Sequence, residues 1–550
     1  MFAAQDFVSP TLDWHALAPE LVLVGTLVVV LLADLFLPEG RKGMLPSLAG
    51  LGLLGSAIPV LTLAVDGADR AMFGGAYAVD NFSLVLKALF LVSGYVVVLL
   101  STNYIAEGDY AEGEYYFLLL SSILGMTVIA SARDLITIFV ALELLSIPAY
   151  LLAGWRKNDV KGNEAGAKYY LMGVFATGVL LYGMSLLYGV AGSTLLTDIG
   201  AVLAEGESLP IVTLAIVFCI VGFGFKVSAV PFHTWAPDTY EGAPTPITAF
   251  LSVSSKAAGF VALAELVLIA FAGREDAFQP FLWVLSAFTM TIGNMVALRQ
   301  TNVVRMLAYS GVAQAGFILA PLAVAGETDQ SLSAIVTYLV IYAAMNLGAF
   351  AVVMAVARKT GSGEIASFSG VFEYAPGLAA LMAIFLFSLA GIPPLGGFWA
   401  KFFAFRAVVD AGTPWAYGLA VVIAVNSVIA LAYYANLARQ MFMEPAADGD
   451  TSRVKVPVSI GAALAITAGL TIAFGPTSWA ADLGDRSGFS ADVVTADVVA
   501  ADDEDDADAD EAASPDAVLV PPAAAPTVPD LAPPLDLAPP PAAPAFPLVP

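Results

Sequence analysis

Cysteine and histidine are almost absent from this chain of 550 residues, which contains one cysteine and two histidines. The single Cys219 cannot form an internal disulfide bond, and it excludes a metal site built from two or more thiolates. The sequence also lacks a glycine-rich phosphate-binding loop beside a strand, a cluster of metal ligands and a nucleophile paired with a histidine. We therefore expect no cofactor, no metal and no covalent chemistry in this chain alone, and nothing in it indicates nucleic-acid binding.

Charged residues are scarce as well. They make up 13% of the chain, whereas about 25% is usual in a soluble domain. Hydrophobic residues make up 59%, and the mean hydropathy is +0.83. This composition predicts an all-α polytopic membrane protein.

Fourteen apolar runs approach or exceed the roughly 20 residues that a helix needs to cross a bilayer. An even number of spans places both termini on the same side of the membrane. The runs lie near 18–37, 44–65, 82–101, 115–131, 135–154, 164–192, 211–233, 246–272, 281–298, 304–325, 331–357, 376–410, 415–442 and 456–481.

The basic residues predict the orientation. Connections that follow odd-numbered spans hold twelve lysines and arginines, and those that follow even-numbered spans hold four. Because cytoplasmic loops carry the excess of bases, we expect both termini on the non-cytoplasmic side. Five bases belong to neither set of connections nor to the tail, and they fall inside predicted spans. All five are lysines, whose protonation can change on burial whereas that of arginine effectively cannot: Lys87, Lys168, Lys226, Lys256 and Lys401.

Two spans, the seventh and the twelfth, contain helix breakers in their interior. Pro231 lacks an amide hydrogen and would clash with the carbonyl group of Val227, and the GIPPLGG segment at 391–397 cannot remain a regular helix. Interrupted helices at matching positions are typical of inverted-repeat transporters. We predict two five-helix repeats of opposite topology, spans 4–8 and 9–13.

The predicted organisation has five parts. Fifteen acids but only one base, Arg486, follow residue 481, and this composition cannot bury a core. The tail can be an interacting segment or an inert extension, and we favour the second interpretation. The parts are 1–110 (N-terminal helices 1–3), 111–272 (first repeat), 273–442 (second repeat), 443–481 (C-terminal helix 14) and 482–550 (disordered acidic and Pro/Ala-rich tail).

Lys226 and Lys256 flank the first helix break, in apolar surroundings. Insertion scales put the cost of a lysine at a helix centre at roughly 2.5–3.5 kcal/mol. Glu143, in the middle of span 5, would take up a proton unless a cation lies near, and Lys226 is the candidate partner. We interpret the two as a proton-transfer pair that titrates as a unit. A static ion pair that joins two helices is the alternative.

Three further residues extend this set. Lys256 follows three serines that can support a hydrated path, and His233 lies between the two lysines in sequence, where its near-neutral titration suits a relay. If the helix continued through Pro231, His233 would share a face with Lys226. Lys401 stands beside the second break as Lys226 stands beside the first. We predict proton transfer by all of them, with a structural hydrogen bond as the alternative for His233.

Lys168 and two acids near the predicted cytoplasmic side are weaker candidates. Lys168 follows Glu164 by four residues, which is a favourable helical pair, and this lysine can be merely interfacial. Asp238 and Glu241 lie in a turn-rich hairpin without compensating bases. They can attract protons, dock a neighbouring subunit or belong to a plain structured turn.

Four polar residues within other spans have less certain roles in the pattern. Tyr309 and Gln314 in span 10 can order water, although polar contacts between helices are the commoner explanation. We expect Lys87 to extend to the membrane surface, and Glu265 to face away from Lys256 because it is half a turn out of phase.

Four segments carry a family resemblance. Together they closely resemble the subunit N family of bacterial NADH-quinone oxidoreductase (respiratory complex I), whose members are antiporter-like proton-channel subunits related to subunits of Mrp-type sodium/proton antiporters. The resemblance covers residues 15–480, and the tail lies outside it. The segments are ELLSIPAYLL (143–152), EAGAKYYLMG (164–173), FKVSAVPFHTWAPDTYEGAPTPITAF (225–250) and LAGIPPLGGFWAKF (389–402).

The resemblance implies fourteen helices, two inverted five-helix bundles and a mid-membrane row formed by Glu143, Lys226, Lys256 and Lys401. It implies a proton-translocating subunit of the bacterial inner membrane, with other membrane subunits of the complex as partners, including sister antiporter-like subunits. NADH, FMN, iron–sulfur clusters and quinone would then bind to partner subunits. A subunit of an Mrp-type antiporter and a non-conducting structural subunit are the alternatives.

Overall fold

The computed structural model describes residues 12–489, apart from 68, 109–111, 207–208, 448 and 478. The greater part of the predicted tail, residues 490–550, lies outside the described residues.

The N-terminal part combines three long helices with a short hairpin. The two strands are antiparallel, with Arg70 opposite Val79. α3 begins with a capping box, in which the Asp80 carboxylate accepts a hydrogen bond from the Ser83 amide and the Ser83 hydroxyl accepts one from the Asp80 amide. The elements are α1 (Ala18–Phe36), α2 (Leu45–Asp66), β1 (Arg70–Met72), β2 (Tyr77–Val79) and α3 (Asn81–Glu107).

The next part carries the first helix break. Side chains at its helix starts satisfy free amides: Asp134 caps α5 and Asp159 caps α6. α10 and α11 belong to one helical segment, Thr245–Ala270, which contains two π-helical stretches at Leu251–Ser255 and Leu266–Ala270. The helices are α4 (Glu112–Ile129), α5 (Leu135–Ala153), α6 (Val160–Ala191), α7 (Leu196–Glu205), α8 (Pro210–Lys226), α9 (Trp235–Gly242), α10 (Thr245–Phe250) and α11 (Lys256–Glu265).

The remaining helices surround α14, which is central to the bundle because 94% of its most apolar 18-residue window is buried. Asn302 caps α13 by accepting hydrogen bonds from two amides. The helices are α12 (Glu275–Ala297), α13 (Val303–Leu322), α14 (Ser331–Thr360), α15 (Val371–Tyr374), α16 (Pro376–Ala390), α17 (Gly396–Asp410), α18 (Pro414–Met443), α19 (Val458–Ala473) and α20 (Trp479–Arg486).

The predicted fold class is confirmed at the level of an all-helical polytopic membrane protein. Ten helices of the described residues are long and apolar enough to cross a membrane, and α8, α16 and α19 are shorter apolar helices. Large apolar side chains on α1, α2 and α6 are exposed, as suits surfaces that contact lipid or neighbouring subunits.

The first break lies beside Lys226, between Val227 and Pro231, where Pro231 led us to expect it. α8 ends at Lys226, and Ser228 adopts a left-handed backbone conformation with φ of 60°. The Val230 amide then donates to the Thr289 hydroxyl of α12 at 2.9 Å. The chain therefore leaves the helical path after Val227, and a contact with another helix holds the non-helical segment.

The second break lies within the predicted GIPPLGG segment. α16 ends at Ala390, Gly391 has φ of 90°, and α17 begins at Gly396. The Gly397 amide donates to the Ser388 hydroxyl at 3.0 Å. A Cβ atom at position 397 would collide with the Ser388 carbonyl group, so the two half-helices approach this closely only with glycine there.

The predicted disordered tail starts too early. Residues 482–486 belong to α20, which contacts α14: the Ser333 hydroxyl donates to Asp485 at 2.7 Å. Phe489 packs on Phe82 with ring centroids 4.7 Å apart. These contacts come from residues that precede the acidic block. That block dominates the average composition of residues 482–550, so the average gave no indication of them.

Candidate functional site

Lys226 closes α8 and is 4% exposed. Its Nζ atom donates to the Ser146 hydroxyl of α5 at 2.8 Å and lies 3.4 Å from the Tyr169 hydroxyl of α6. Tyr169 stacks on Trp235 with centroids 4.4 Å apart. The ammonium group is therefore held in an aromatic-walled pocket by neutral oxygen atoms.

Glu143 does not form the direct ion pair with Lys226 that we predicted. Among the described residues no carboxylate lies within 4.0 Å of the Lys226 ammonium, and the buried Oε1 atom of Glu143 has no hydrogen-bond partner. Ser146, one turn further along α5, occupies the place next to the lysine instead. The Ser146 hydroxyl accepts from Lys226 and donates to the Leu142 carbonyl group of its own helix, so its one donor is not directed to Glu143.

Glu143 also belongs to the outward side of α5. The exposed residues of this helix include Ile136, Val140, Ile147 and Leu151, and Glu143 fits their helical spacing. The carboxylate is half-buried. Its position makes it accessible to a neighbouring subunit as well as to Ser146.

Lys256 starts α11 directly after a π-helical stretch and is 2% exposed. Its Nζ atom donates to the Gly311 carbonyl group of α13 at 2.8 Å. Polar side chains surround the preceding turn: Asn346 donates to the Ser252 hydroxyl, and the Ser254 hydroxyl donates to Ser93, both at 2.9 Å. The predicted serine environment is present, and it consists of hydrogen bonds to α14 and α3.

A polar chain leads from Gly311 towards the second break. Ser310 and Tyr434 join through their hydroxyl groups, and Gln314 donates to the Tyr434 hydroxyl at 3.2 Å. Gln314 also donates to the Leu389 carbonyl group at 3.1 Å and accepts from Tyr338. The weaker candidate Gln314 is thus placed between the two ends of this chain.

Lys401 completes the row on α17 and is 6% exposed. Its Nζ atom donates to the Ala390 carbonyl group at 2.9 Å, next in sequence to the carbonyl group that Gln314 contacts. The ammonium group lies 4.6 Å from the centroid of the Phe317 ring. Its partners are a carbonyl oxygen and the face of an aromatic ring. Lys226 has similar surroundings, namely neutral oxygens and aromatic rings.

His233 follows the first break rather than continuing α8. Because α8 ends at Lys226, the two residues do not share a helix face. His233 is half-buried, its Nδ1 atom is buried without a hydrogen-bond partner, and its ring lies 6.2 Å from that of Tyr309. Two of our candidates therefore meet here, at a distance that leaves no direct hydrogen bond between them.

Asp238 and Glu241 are compensated by bases, contrary to our prediction. Arg305 of α13 lies 2.9 Å from Asp238 and 2.8 Å from Glu241. Lys168 lies 2.7 Å from Asp238, and Lys161 lies 2.9 Å from Glu241. The sequence concealed this because Arg305 is more than sixty residues away. We call these five residues the surface network.

Lys168 of the surface network also pairs with Glu164 at 2.6 Å, as the spacing of the two residues predicts. Burial by itself would raise the pKa of Asp238, but hydrogen bonds from Lys168 and Arg305 outweigh it and hold that pKa below its usual value. Burial would likewise raise the pKa of Glu241, and its basic partners lower it. Both acids are thus kept as anions at neutral pH.

Two buried charged groups lie near the other end of α5, and one of them contradicts our expectation. Lys87 does not reach the membrane surface: it is fully buried, donates to the Tyr77 hydroxyl at 2.8 Å and lies 3.0 Å from Glu20. Glu265 faces away from Lys256 as predicted, and it pairs with Arg133 at 2.7 Å. Arg133 in turn contacts Asp80 at 2.8 Å. The sequence did not single out Arg133 or Asp80 as candidates, because both lie outside the predicted spans.

Comparison with known families matches residues 132–429 to the membrane family "NADH:quinone oxidoreductase/Mrp antiporter, TM". NADH-quinone oxidoreductase subunit N of Trichlorobacter lovleyi is 40% identical over 454 residues, which cover 82% of this chain and 92% of that protein. NAD(P)H-quinone oxidoreductase subunit 2 of a Picosynechococcus strain is 41% identical over 451 residues, which cover 81% of this chain and 84% of that protein.

Solved structures give the same outline. A chain of respiratory complex I from Thermus thermophilus aligns with a TM-score of 0.70 and 32% identity, over 83% of this chain and 96% of that one. A chain of the Mrp complex from a Dietzia strain aligns with a TM-score of 0.75 over 86% of this chain and 96% of that one. At 21% identity the second likeness shows the fold alone.

Proposed function

Because this chain belongs to the subunit N family of NADH-quinone oxidoreductases, it is a proton-translocating membrane subunit of respiratory complex I, and we propose that Lys226, Lys256 and Lys401 carry the protons. Other membrane subunits of the complex are its partners. The described residues contain no cluster of metal-ligating side chains. We propose that FMN, iron–sulfur clusters, NADH and quinone bind to partner subunits, and that this chain contributes the proton path.

One observation carries the assignment: the three lysines are buried but have no carboxylate partner within 4.0 Å among the described residues. Their hydrogen-bond acceptors are a serine hydroxyl and two backbone carbonyl groups. A lysine that serves as structural glue in apolar surroundings is expected to be paired with an acid. A lysine held by neutral oxygens can lose its proton without leaving a buried counter-charge behind.

The path between the lysines is continuous for part of its length. Ser310, Tyr434 and Gln314 form a hydrogen-bonded chain that begins next to Gly311, the acceptor of Lys256, and ends at Leu389, next to Ala390, the acceptor of Lys401. Such groups both donate and accept hydrogen bonds, as a proton relay requires. Between Lys226 and Lys256 we propose that His233 and ordered water complete the route.

The direction of transfer follows from the predicted orientation. The surface network lies on the side that the excess of bases predicts to be cytoplasmic, and its acids are paired with Lys161, Lys168 and Arg305. We propose uptake from the cytoplasm there, lateral transfer through Lys256, and release near Lys401. We propose that both termini lie on the non-cytoplasmic side of the bacterial inner membrane, which the excess of bases in odd-numbered connections supports.

We propose that Glu143 gates Lys226 through the Ser146 hydroxyl. Rotation of the Glu143 side chain towards Ser146 would favour the charged lysine, and withdrawal towards a neighbouring subunit would favour release of its proton. The outward position of the carboxylate on α5 supports this role, because a partner subunit can contact it directly.

The apolar helices support fourteen spans in two inverted five-helix repeats. Ten long helices, the three shorter apolar ones and α4 make up this number if α16 and α17 form one interrupted span. The first proposed repeat then runs from α4 to α11, and the second from α12 to α18. Each has its break in its fourth span, and each break carries one of the outer lysines.

The experiment that tests the lysine assignment is Lys226→Ala in the assembled complex. We expect the ratio of protons pumped to electrons transferred to fall while the complex still assembles. Lys455→Ala is the matched control, since this lysine is exposed and outside the row. Unchanged pumping together with unchanged quinone reductase activity in Lys226→Ala would show that the assignment is wrong.

A further inference from the structure

Five ionisable side chains form a second buried group, which we call the hairpin cluster. It lies away from the lysine row, the name we use for Lys226, Lys256 and Lys401. Its members come from α1, α3 and its cap, the α4–α5 connection and α11, and none is more than 7% exposed. They are Glu20, Asp80, Lys87, Arg133 and Glu265.

The cluster consists of two adjacent halves. Arg133 contacts Asp80 at 2.8 Å and Glu265 at 2.7 Å. Lys87 lies 3.0 Å from Glu20 and donates to the Tyr77 hydroxyl. Tyr77 forms a β-bridge with Ala132, the residue before Arg133, so the halves lie side by side. The remaining cover of Arg133 is uncharged, since its guanidinium group rests on the rings of Phe82 and Phe489.

The charges of the hairpin cluster do not balance if every acid is ionised. Three carboxylates then face two cations, which leaves one negative charge in an environment that excludes water. Burial of an uncompensated ion is so costly that the group neutralises itself by binding a proton. One carboxyl group of the cluster is therefore expected to be protonated.

The contacts identify which carboxyl group this is. Asp80 is a well-satisfied anion, because it accepts from the Ser83 amide and from Arg133. Glu20 has Lys87 as its own counter-charge at 3.0 Å, although neither of its oxygens accepts a hydrogen bond among the described residues. Glu265 is fully buried, shares Arg133 with Asp80, and has an Oε2 atom without any hydrogen-bond partner. We infer that Glu265 carries an exchangeable proton in the folded protein and is a proton-holding site outside the lysine row.

The position of Glu265 in its helix supports this inference. It is the last residue of α11, directly before the π-helical stretch Leu266–Ala270, and Lys256 is the first residue, directly after the other stretch. Single π-helical turns occur frequently at functional sites.

The test is infrared spectroscopy of the intact complex in membranes, in H2O and in D2O. A protonated carboxyl group gives a carbonyl-stretch band that shifts in D2O, and an ionised one does not. We expect the difference between wild type and Glu265→Gln to show the loss of one such band. Glu373→Gln, at an exposed position, should leave the spectrum unchanged.

Two further variants decide between the members of the cluster. Glu20→Asp keeps the number of carboxyl groups in the cluster and is expected to leave the band in place, whereas a band that shifts in that variant would assign the proton to Glu20 and overturn the proposal. A band that persists in Glu265→Gln would overturn it as well. If Glu265→Gln does not assemble, Glu265→Asp retains the carboxyl group and should move the band rather than abolish it. These readouts do not depend on pumping, so they can fail while the lysine assignment stands, and the reverse.

Discussion

The lysine row and the hairpin cluster solve the problem of a buried cation in opposite ways. Lys226, Lys256 and Lys401 have neutral oxygens as their hydrogen-bond acceptors. Lys87 and Arg133 are buried to the same degree, and each has at least one carboxylate within 3.0 Å. A cation that is matched by an acid is held in one protonation state, whereas a cation among neutral dipoles can change its state.

This difference teaches that burial alone does not mark a proton carrier. All five side chains are at most 6% exposed, so exposure does not separate the two groups. The separation comes from the first contact of each cation. A buried ion pair is expensive to break because the remaining partner is left as an isolated charge, and the row has no such pair to break.

The comparison is tested most strongly by Lys256→Met, which replaces the ammonium group by a neutral group of similar size. We expect normal assembly of the complex and a loss of most of the proton transfer that passes through this subunit, because the acceptor at Gly311 is a single carbonyl group that leaves no charge unpaired. The measurement is the number of protons pumped per electron in sealed vesicles. If a fully assembled Lys256→Met complex pumped protons at the wild-type ratio, Lys256 would not be a proton carrier.

Lys87→Met is the matched replacement in the hairpin cluster, and the expected result is the reverse. The change leaves Glu20 buried without its counter-charge, and breaking such a pair costs roughly 3–5 kcal/mol. We expect a large decrease in the amount of assembled subunit, measured by native gel electrophoresis of the membranes. Normal assembly of Lys87→Met would contradict this expectation. The double variant Glu20→Gln with Lys87→Met should then be no more stable than Lys87→Met alone, and the cluster would not act as an ion-pair site.

Tyr434→Phe should have an intermediate effect. The variant removes the hydroxyl group that contacts both Ser310 and Gln314 but leaves the ring in place. A positioned proton-transfer group typically contributes about 10²–10⁴-fold to a rate, and water can replace part of this chain, so we expect a decrease at the lower end of that range. The pumping rate with assembly held constant is the measurement.

Tyr433→Phe provides the control, since Tyr433 donates to Asn294 and lies beside Tyr434 without contacting Gln314 in the described structure. Equal losses in the two tyrosine variants would mean that the connection between Lys256 and Lys401 does not pass through Tyr434.

The sequence indicated which residues are buried, but it did not indicate their partners. The depth of Lys226, Lys256 and Lys401 followed from the apolar runs, and the Glu164–Lys168 pair followed from helical spacing. Partners depend on how each helix is rotated about its axis and on which helix packs beside it. Neither is encoded locally, so the serine between Glu143 and Lys226 was not predicted.

Contacts between distant segments account for the other corrections. Arg305 reaches Asp238 and Glu241 across more than sixty residues, and Arg133 reaches Glu265 across 132 residues. Pro231 located the first break, but the contact that holds it, from Val230 to Thr289 of another helix, was not predictable from the sequence. The acidic block dominated the composition of the tail, so the sequence did not indicate the amphipathic α20 that precedes this block.

The surface network provides the mildest test, because its ion pairs are partly exposed. Asp238→Asn removes a carboxylate whose pKa is held below the ordinary value of 3.8 by Lys168 and Arg305, against the opposing effect of burial. A group with a lowered pKa in the folded state contributes stability that is fully present above its unfolded pKa and is lost as the pH falls through its folded pKa. Half-exposed pairs of this kind contribute about 0.2–1 kcal/mol each.

We therefore expect Asp238→Asn to unfold at a slightly lower temperature than the wild type at pH 7, and this difference to disappear as the pH is lowered below 3.8. Thermal unfolding of the purified complex at a series of pH values is the measurement, with Glu373→Gln as the exposed control. A difference that grew towards acid pH would have the wrong sign for a carboxylate stabilised by bases. Because the surface network lies apart from the buried lysines, the variant should reduce proton uptake only modestly, whereas the same loss of a partner inside the hairpin cluster should prevent assembly.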